Sequence, residues 1–170
     1  MDTWDDVVSS LPREARNIIH KILGSFRGPD LTIAPYGKPY LYRWHLMRST
    51  LANAYLHLQV ASDPERPLHD HPWDNQSVIL AGGYWEALSQ YEREAAGEWF
   101  RVFRKAGDVI HRKAAEPHRL VLDKEGPHYA LTMFTSGPKI REWGFWYPEG
   151  WVHNYDVVRT ENGVSTQERT

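Results

Sequence analysis

The middle of this chain is punctuated in a way that leaves few folds open to it. From residue 31 to residue 147, short runs rich in β-branched and aromatic residues alternate with turn formers, and no helical stretch separates them. The runs fall near 31–35, 39–47, 52–60, 76–81, 84–91, 98–104, 107–111, 118–122, 128–136 and 142–147. Breaks come at Tyr36-Gly37-Lys38-Pro39, Ser62-Asp63-Pro64, Gly82-Gly83, Ala96-Gly97, Asp123-Lys124-Glu125-Gly126-Pro127 and Gly137-Pro138. Short strands with turn signals at about 8–12 residue spacing predict an antiparallel sandwich or barrel. A parallel sheet would need crossover helices that this pattern lacks. The predicted class is all-β.

Ahead of this region, residues 3–24 read as helical. Thr3 can cap a first helix, with Asp5 and Asp6 in its first turn, where carboxylates suit the positive end of the helix dipole. Pro12 suits the first turn of a second helix. Ala15, Ile18, Ile19 and Ile22 follow at helical spacing, and Gly24 ends the run. The expected organisation is a short N-terminal helical arm over 1–28 packed on a barrel domain over 29–158. The polar residues 159–170 are expected to be a frayed, disordered tail.

Composition removes several function classes. The chain has 170 residues and no cysteine, so disulfides, thiolate zinc sites, iron–sulfur clusters and a cysteine nucleophile are excluded. A net charge of −2 gives a counterion-release mode of nucleic-acid binding no footing. No apolar run approaches the roughly 18 residues of a membrane span. The acidic start, Met1-Asp2-Thr3-Trp4-Asp5-Asp6, lacks the basic-then-apolar order of a signal peptide, so a cytoplasmic protein is expected. With thiolates gone, the 9 histidines are the main soft ligands, and 8 Trp and 9 Tyr are available to line a pocket.

The most informative segment is Pro67-Leu68-His69-Asp70-His71-Pro72-Trp73. Histidines at i and i+2 of a strand point to one face, which brings two imidazoles together. Neutral imidazoles suit divalent first-row metals, but two alone bind weakly, and His-x-His alone is equally a loop pair with no metal. The segment from Gly107 to Arg119 offers a third. A turn at Ala114-Ala115 would fold His118 back over the sheet to complete a three-His face.

These residues resemble the two motifs of the cupin superfamily. The first family motif ends in His-x-His, a short gap, Glu, six residues and glycine; this chain reads His69-x-His71, four residues, Gln76, six residues, Gly83. The second runs glycine, five residues, Pro-x-Gly, two residues, His; this chain reads Gly107, five residues, Lys113-Ala114-Ala115, two residues, His118. The resemblance spans roughly residues 40–147. It implies a double-stranded β-helix, or jelly-roll barrel, with a metal inside its mouth. The chain departs from the family at four points. Gln76 stands at the acidic ligand position (Asn75 under a shorter spacing), Lys113-Ala114-Ala115 replaces Pro-x-Gly, Leu122 stands where asparagine is frequent, and Asp63 where the first glycine would be. Loss of the carboxylate implies an all-imidazole site like that of the three-His dioxygenases of the superfamily. Its ion would be divalent, Fe(II) foremost, with Zn, Ni or Mn as alternatives and Gln76 as a weaker ligand through its amide oxygen. The implied function is a mononuclear metalloenzyme for a small-molecule substrate, such as an Fe(II)-dependent dioxygenase. The alternative is a cupin that binds a ligand or metal without turnover.

Around the motifs, His111 reads as a fourth imidazole, a proton shuttle or a core histidine. Asp70 should point away from its two neighbours and pair with an arginine. Trp73 can wall the site or stack on a substrate. Arg112 and Lys113 are either surface charge or cations facing the opening, where they would pair with a substrate carboxylate or phosphate. Trp143, Phe145 and Tyr147 alternate on one face and can fill the barrel or cover its mouth. The exposed half of that stretch would suit a homodimer surface. His45, His57 and His128 carry no assigned role.

Overall fold

In a computed structural model, residues 4–34, 37–63, 67–89, 99–123, 125–160 and 163–166 are described. Two helices come first, α1 (Trp4–Ser10) and α2 (Arg13–Leu23). The proposed Thr3 cap lies outside the described residues. Pro12 precedes α2, and Gly24 closes it at φ 71°, with its N–H on the His20 carbonyl at 2.8 Å. That left-handed conformation suits a residue without a Cβ.

Strands follow as β1 (Leu31–Ile33), β2 (Leu41–Arg48), β3 (Asn53–Gln59), β4 (Leu68–His69), β5 (Asn75–Ser89), β6 (Trp99–Lys105) and β7 (Val109–Arg112). After them come β8 (His118–Val121), β9 (Ala130–Ser136), β10 (Gly144–Tyr147), β11 (Gly150–His153), β12 (Val157–Thr160) and β13 (Gly163–Thr166). All pairings are antiparallel. One layer runs β1-β2-β3-β9-β5-β7 and the other β6-β5-β8-β4-β10-β11. The two layers share β5. Its first half pairs with β7 and β9, and its second half with β6 and β8.

The switch between layers occurs at Gly82-Gly83. The register shifts between Ile79 and Ala81, and Gly82 sits at φ 70°. A Cβ on Gly82 would lie 2.2 Å from the Tyr129 carbonyl oxygen, and one on Gly83 2.5 Å from that of Arg104. Only glycine permits this approach. The pair read from sequence as a turn is therefore a bend inside one long strand, the device by which a strand turns a corner between sheets.

The main core lies on the outer face of the first layer. Tyr42, Trp44, Leu56, Leu58 and Leu131 are buried there under Leu11, Ala15 and Ile19 of the helical arm. The Trp44 indole N–H donates to the carbonyls of Arg27 and Gly28 at 3.1 and 3.0 Å, which fastens the linker as well. The arm thus shares the barrel's core. Residues that alternate with these, among them Arg43, His57 and Thr132, face the interior. At the other end of the chain, β12 pairs with β13. Part of the stretch expected to be a frayed tail, from residue 159, is therefore ribbon, in keeping with its β-branched Thr160, Val164 and Thr166.

Candidate metal centre

Four chain segments meet at the mouth of the barrel. His69 in β4 is the register partner of His118, which opens β8, and also of Phe145 in β10. His71 lies just past β4, and its backbone N–H donates to the Ala114 carbonyl at 2.9 Å. The turn at Ala114-Ala115 is therefore docked directly against the His-x-His segment. Asp74 secures that turn from the other side by accepting the Ala114 N–H at 2.8 Å.

The three imidazoles converge. One ring nitrogen from each of His69, His71 and His118 lies within 4.8 Å of the other two. The Nε2 atoms of His71 and His118 are 2.8 Å apart. Two ligands at right angles on a first-row ion, with bonds of about 2.1 Å, would sit about 3 Å apart. The donor set and its spacing fit a divalent ion.

The orientation of His118 is fixed from behind. Its Nδ1 lies 2.8 Å from Oε1 of Glu86. A carboxylate can only accept, so Nδ1 carries the proton and Nε2 keeps its lone pair toward the cluster. Glu86 is fully buried and also accepts from Nε of Arg112 at 2.6 Å and Nε of Arg104 at 2.7 Å. Burial alone would push its carboxyl up. The hydrogen bond to His118 and the charge of Arg112 outweigh burial and hold it far below the usual carboxylate range. Burial and Arg112 push His118 down from its ordinary value against the opposing pull of Glu86, which favours the neutral, ligating form.

Asp70 turns away from the rings, as alternation requires, and finds its arginine. It is fully buried and accepts from Arg141 at 2.5 Å, the Gly144 N–H at 2.7 Å, and the indoles of Trp146 and Trp151 at 3.1 and 2.9 Å. These bonds tie β10 and β11 to the His-x-His segment. Trp73 stacks on His71, with ring centroids 4.9 Å apart and planes 11° from parallel.

No family model and no curated protein matches the chain. Solved structures do. The DMSP lyase DddQ from Ruegeria pomeroyi DSS-3 is similar with a TM-score of 0.56 and 16% identity, over 86% of this chain and 78% of that one. Fe(II) HppE is similar with a TM-score of 0.51 and 13% identity, over 65% of this chain and 56% of HppE. A cupin superfamily protein from Desulfitobacterium hafniense DCB-2 gives 0.44 at 12% identity, over 58% of this chain and 78% of that one. The fold is a double-stranded β-helix built from antiparallel strands.

Inside the barrel, next to the imidazoles, lies a cavity of about 130 Å³. Of the sequence-predicted residues, His69, His71, His118 and Trp73 line it. Gln76 does not. Its neighbour Ser77 faces the cavity, and alternation along β5 turns Gln76 to the other face, opposite His111 on β7. Asn75 shares the inner face with Ser77 and is buried one step beyond it, with its side-chain amide unpartnered among the described residues. His111 is exposed because it alternates with the buried Ile110 and Arg112, and it borders a separate depression behind Glu86. Trp143 packs edge-on to His69, with centroids 6.4 Å apart, behind that ligand rather than in the cavity wall. Lys113 is exposed and paired with Asp74.

Sequence reasoning missed Glu86, Arg43, His57 and the buried position of Arg112. The one available signal for Glu86 was an acidic residue inside the apolar run Tyr84-Trp85-Glu86-Ala87-Leu88. Asp63, noted only as a departure from the glycine motif, lines the cavity and accepts the Leu120 N–H at 2.9 Å.

Proposed function

We propose that this cupin is a mononuclear metalloenzyme acting on a small molecule, with His69, His71 and His118 holding the ion. The observation that carries this is the 2.8 Å approach of two ring nitrogens, one of them aimed by a buried carboxylate. A metal-free pair could share one hydrogen bond at that distance, but the third imidazole within 4.8 Å and the buried carboxylate behind His118 complete a donor set that an ion would use in full. Fe(II) is the proposed ion. A set of neutral imidazoles suits it, and the structural neighbour HppE is an Fe(II) protein. A divalent redox-active ion held there supplies Lewis acidity and one-electron chemistry.

The chain's own residues do the rest. Glu86 holds the His118 proton at Nδ1 and so fixes the tautomer. Trp73 covers His71 and limits water at the mouth. Arg112, anchored on Glu86 and Ser77, forms a rigid cationic wall. Dioxygenase chemistry is the reading for an iron site. Lyase chemistry is the second reading, favoured by the likeness to DddQ, and would go with Zn, Ni or Mn.

Elemental analysis of the purified protein tests the site. Metal near one per chain is expected, and both His69→Ala and His118→Ala should lose it. Oxygen uptake with small thiols, β-diketones and catechols then separates a dioxygenase from the alternatives. Stoichiometric metal without oxygen uptake on any of them would leave the lyase reading or a binding module, and the identity of the metal would then choose between iron and Zn, Ni or Mn.

A further inference from the structure

Two guanidiniums converge on Glu86, and they differ in what they have left to give. Arg112 is spent. Its Nε donates to Glu86 at 2.6 Å, Nη1 to Ser77 at 3.3 Å and Nη2 to Tyr84 at 3.4 Å. Arg104, on β6, gives Glu86 its Nε–H at 2.7 Å and, among the described residues, nothing further. Its Nη atoms meet no acceptor there, and Glu86 is the one carboxylate within ion-pair reach. Glu86 has little more to offer, because Oε1 takes Arg112 and His118 and Oε2 takes Arg104. The Arg104 side chain is nonetheless only 24% exposed. A guanidinium so far withdrawn from water, with four N–H donors unspent, is a place for an acceptor from outside.

Arg104 lines the depression behind Glu86, a cavity of about 410 Å³. Arg112 lines both this depression and the metal cavity and so stands between them. Leu88, Phe100, Ile110 and Pro117 give the depression an apolar side. Phe100 and Arg104, four residues apart, share a face of β6, and Phe100 stands opposite Leu88 in register. Phe100 is 44% exposed, a large ring left facing water beside that wall. Charge favours an anion at the Arg104 end, where one carboxylate meets two guanidiniums. The opposing charge is Glu116, which accepts the Lys113 N–H at 2.8 Å. A polar end with unmet donors and an apolar end thus share one cavity, in the size range of small-molecule pockets.

We infer that this depression is a second ligand site, for a carboxylate with an apolar body of about one aromatic ring. Its carboxylate lies on the Nη atoms of Arg104 and its body along Leu88 and Phe100. A planar two-oxygen anion matches the guanidinium edge, and a bare inorganic anion would leave the apolar side uncovered. Four residues of strand separate Arg104 from Phe100, about 13 Å between Cα atoms, which sets the length of the body. The inference goes beyond the metalloenzyme reading and does not rest on it.

The test compares benzoate and 3-phenylpropionate with benzamide and 3-phenylpropionamide. Binding to the full chain is measured by calorimetry after chelation, so that no metal competes for the acids. The expected result is an acid preference of at least about ten-fold, the size of one charge-assisted hydrogen-bond pair. Arg104→Gln should abolish that preference, and Lys105→Gln, which removes a neighbouring surface charge, should leave it. Phe100 lies outside the metal cavity, so Phe100→Ala reads this site alone. It should weaken 3-phenylpropionate about five-fold and keep the preference for acid over amide. If Arg104→Gln does not fold, Arg104→Lys decides, since it keeps the charge but not the fork: a reduced preference supports the inference and an unchanged one overturns it. Equal binding of acid and amide by the parent chain, a preference that survives Arg104→Gln, or indifference to Phe100→Ala also overturns it. So does acid binding that appears only in the metal-loaded chain, because that binding belongs to the metal cavity. A chain that holds no metal would end the metalloenzyme reading and leave these measurements standing.

Discussion

Successive residues of β3 show two ways of being buried. Leu56 and Leu58 point outward under the helical arm and are 0% exposed; His57 and Gln59 point inward and are 8% and 5% exposed. Burial is nearly the same and the chemistry is opposite. The outer face meets helices whose own apolar stripe completes a dry core, so it is aliphatic and aromatic. The inner face meets the other half of the barrel across a small cavity, and its polar groups are bonded to one another: Arg43 to His57, Arg112 to Glu86, Glu86 to His118. One wall therefore serves stability and chemistry at once, separated by the two-residue period of a strand. The contrast teaches that exposure alone does not locate a site here; the identity of what is buried does.

Substitutions can sharpen or break this contrast. The largest effect should come from His118→Ala, which is expected to take metal from near one per chain to background and also to lower the metal-free thermal midpoint, because buried Glu86 loses a hydrogen-bond donor. Glu86→Gln comes next. It leaves Arg104 and Arg112 beside a neutral amide in a buried position and should cost about 3–5 kcal/mol in denaturant unfolding. In the folded fraction it should also weaken metal binding about 10–100-fold, as loss of a ligand-orienting partner does. Leu56→Ala on the outer face should cost about 2–5 kcal/mol through the cavity it opens, with metal stoichiometry unchanged. A loss of metal in Leu56→Ala would show that the two faces are not separable.

Acidity should act most strongly on the inner face, because the shifted carboxylates elsewhere, Asp30, Asp74 and Glu142, belong to surface pairs. His57 and His118 are held below their ordinary value of 6.5, so the unfolded chain takes up protons that the folded chain refuses. Their contribution is complete above about pH 6.5 and is lost as pH falls below it. Glu86, held below its ordinary 4.5, adds a second loss under that pH. Urea midpoints of the metal-free protein from pH 8 to pH 3 should fall in these two stages, and a flat profile would contradict the burial of neutral imidazoles. The smallest effect is expected for Trp73→Ala, about 1–3 kcal/mol for a half-buried ring that stacks on His71 and meets Phe134 edge-on, read as a shift in the same midpoint.

Much of the site was legible because its signals are local. His69 and His71 share a face by strand alternation, and the spacing from Gly107 through the Ala114-Ala115 turn to His118 marks a reversal of the chain. The structure makes that reversal between layers and not as a hairpin, β7 pairing with β5 in one layer and β8 with β4 and β5 in the other. Gln76 misled because motif spacing counts residues and not faces. The strand that begins at Asn75 starts in the phase that turns Ser77, not Gln76, to the cavity. Glu86 was invisible because its partners are Arg104, Arg112 and His118, brought to it only after β5 has crossed from one layer to the other at Gly82-Gly83.

The amino-acid order alone determined the strand-and-turn texture, the amphipathic arm and the three imidazoles, since each rests on periods of two to four residues that neighbours along the chain impose on one another. The tertiary structure decided which carboxylate backs His118 and which arginines that carboxylate holds. Those outcomes depend on strand register and on the desolvation of groups tens of residues apart, and neither exists until the two layers close on each other.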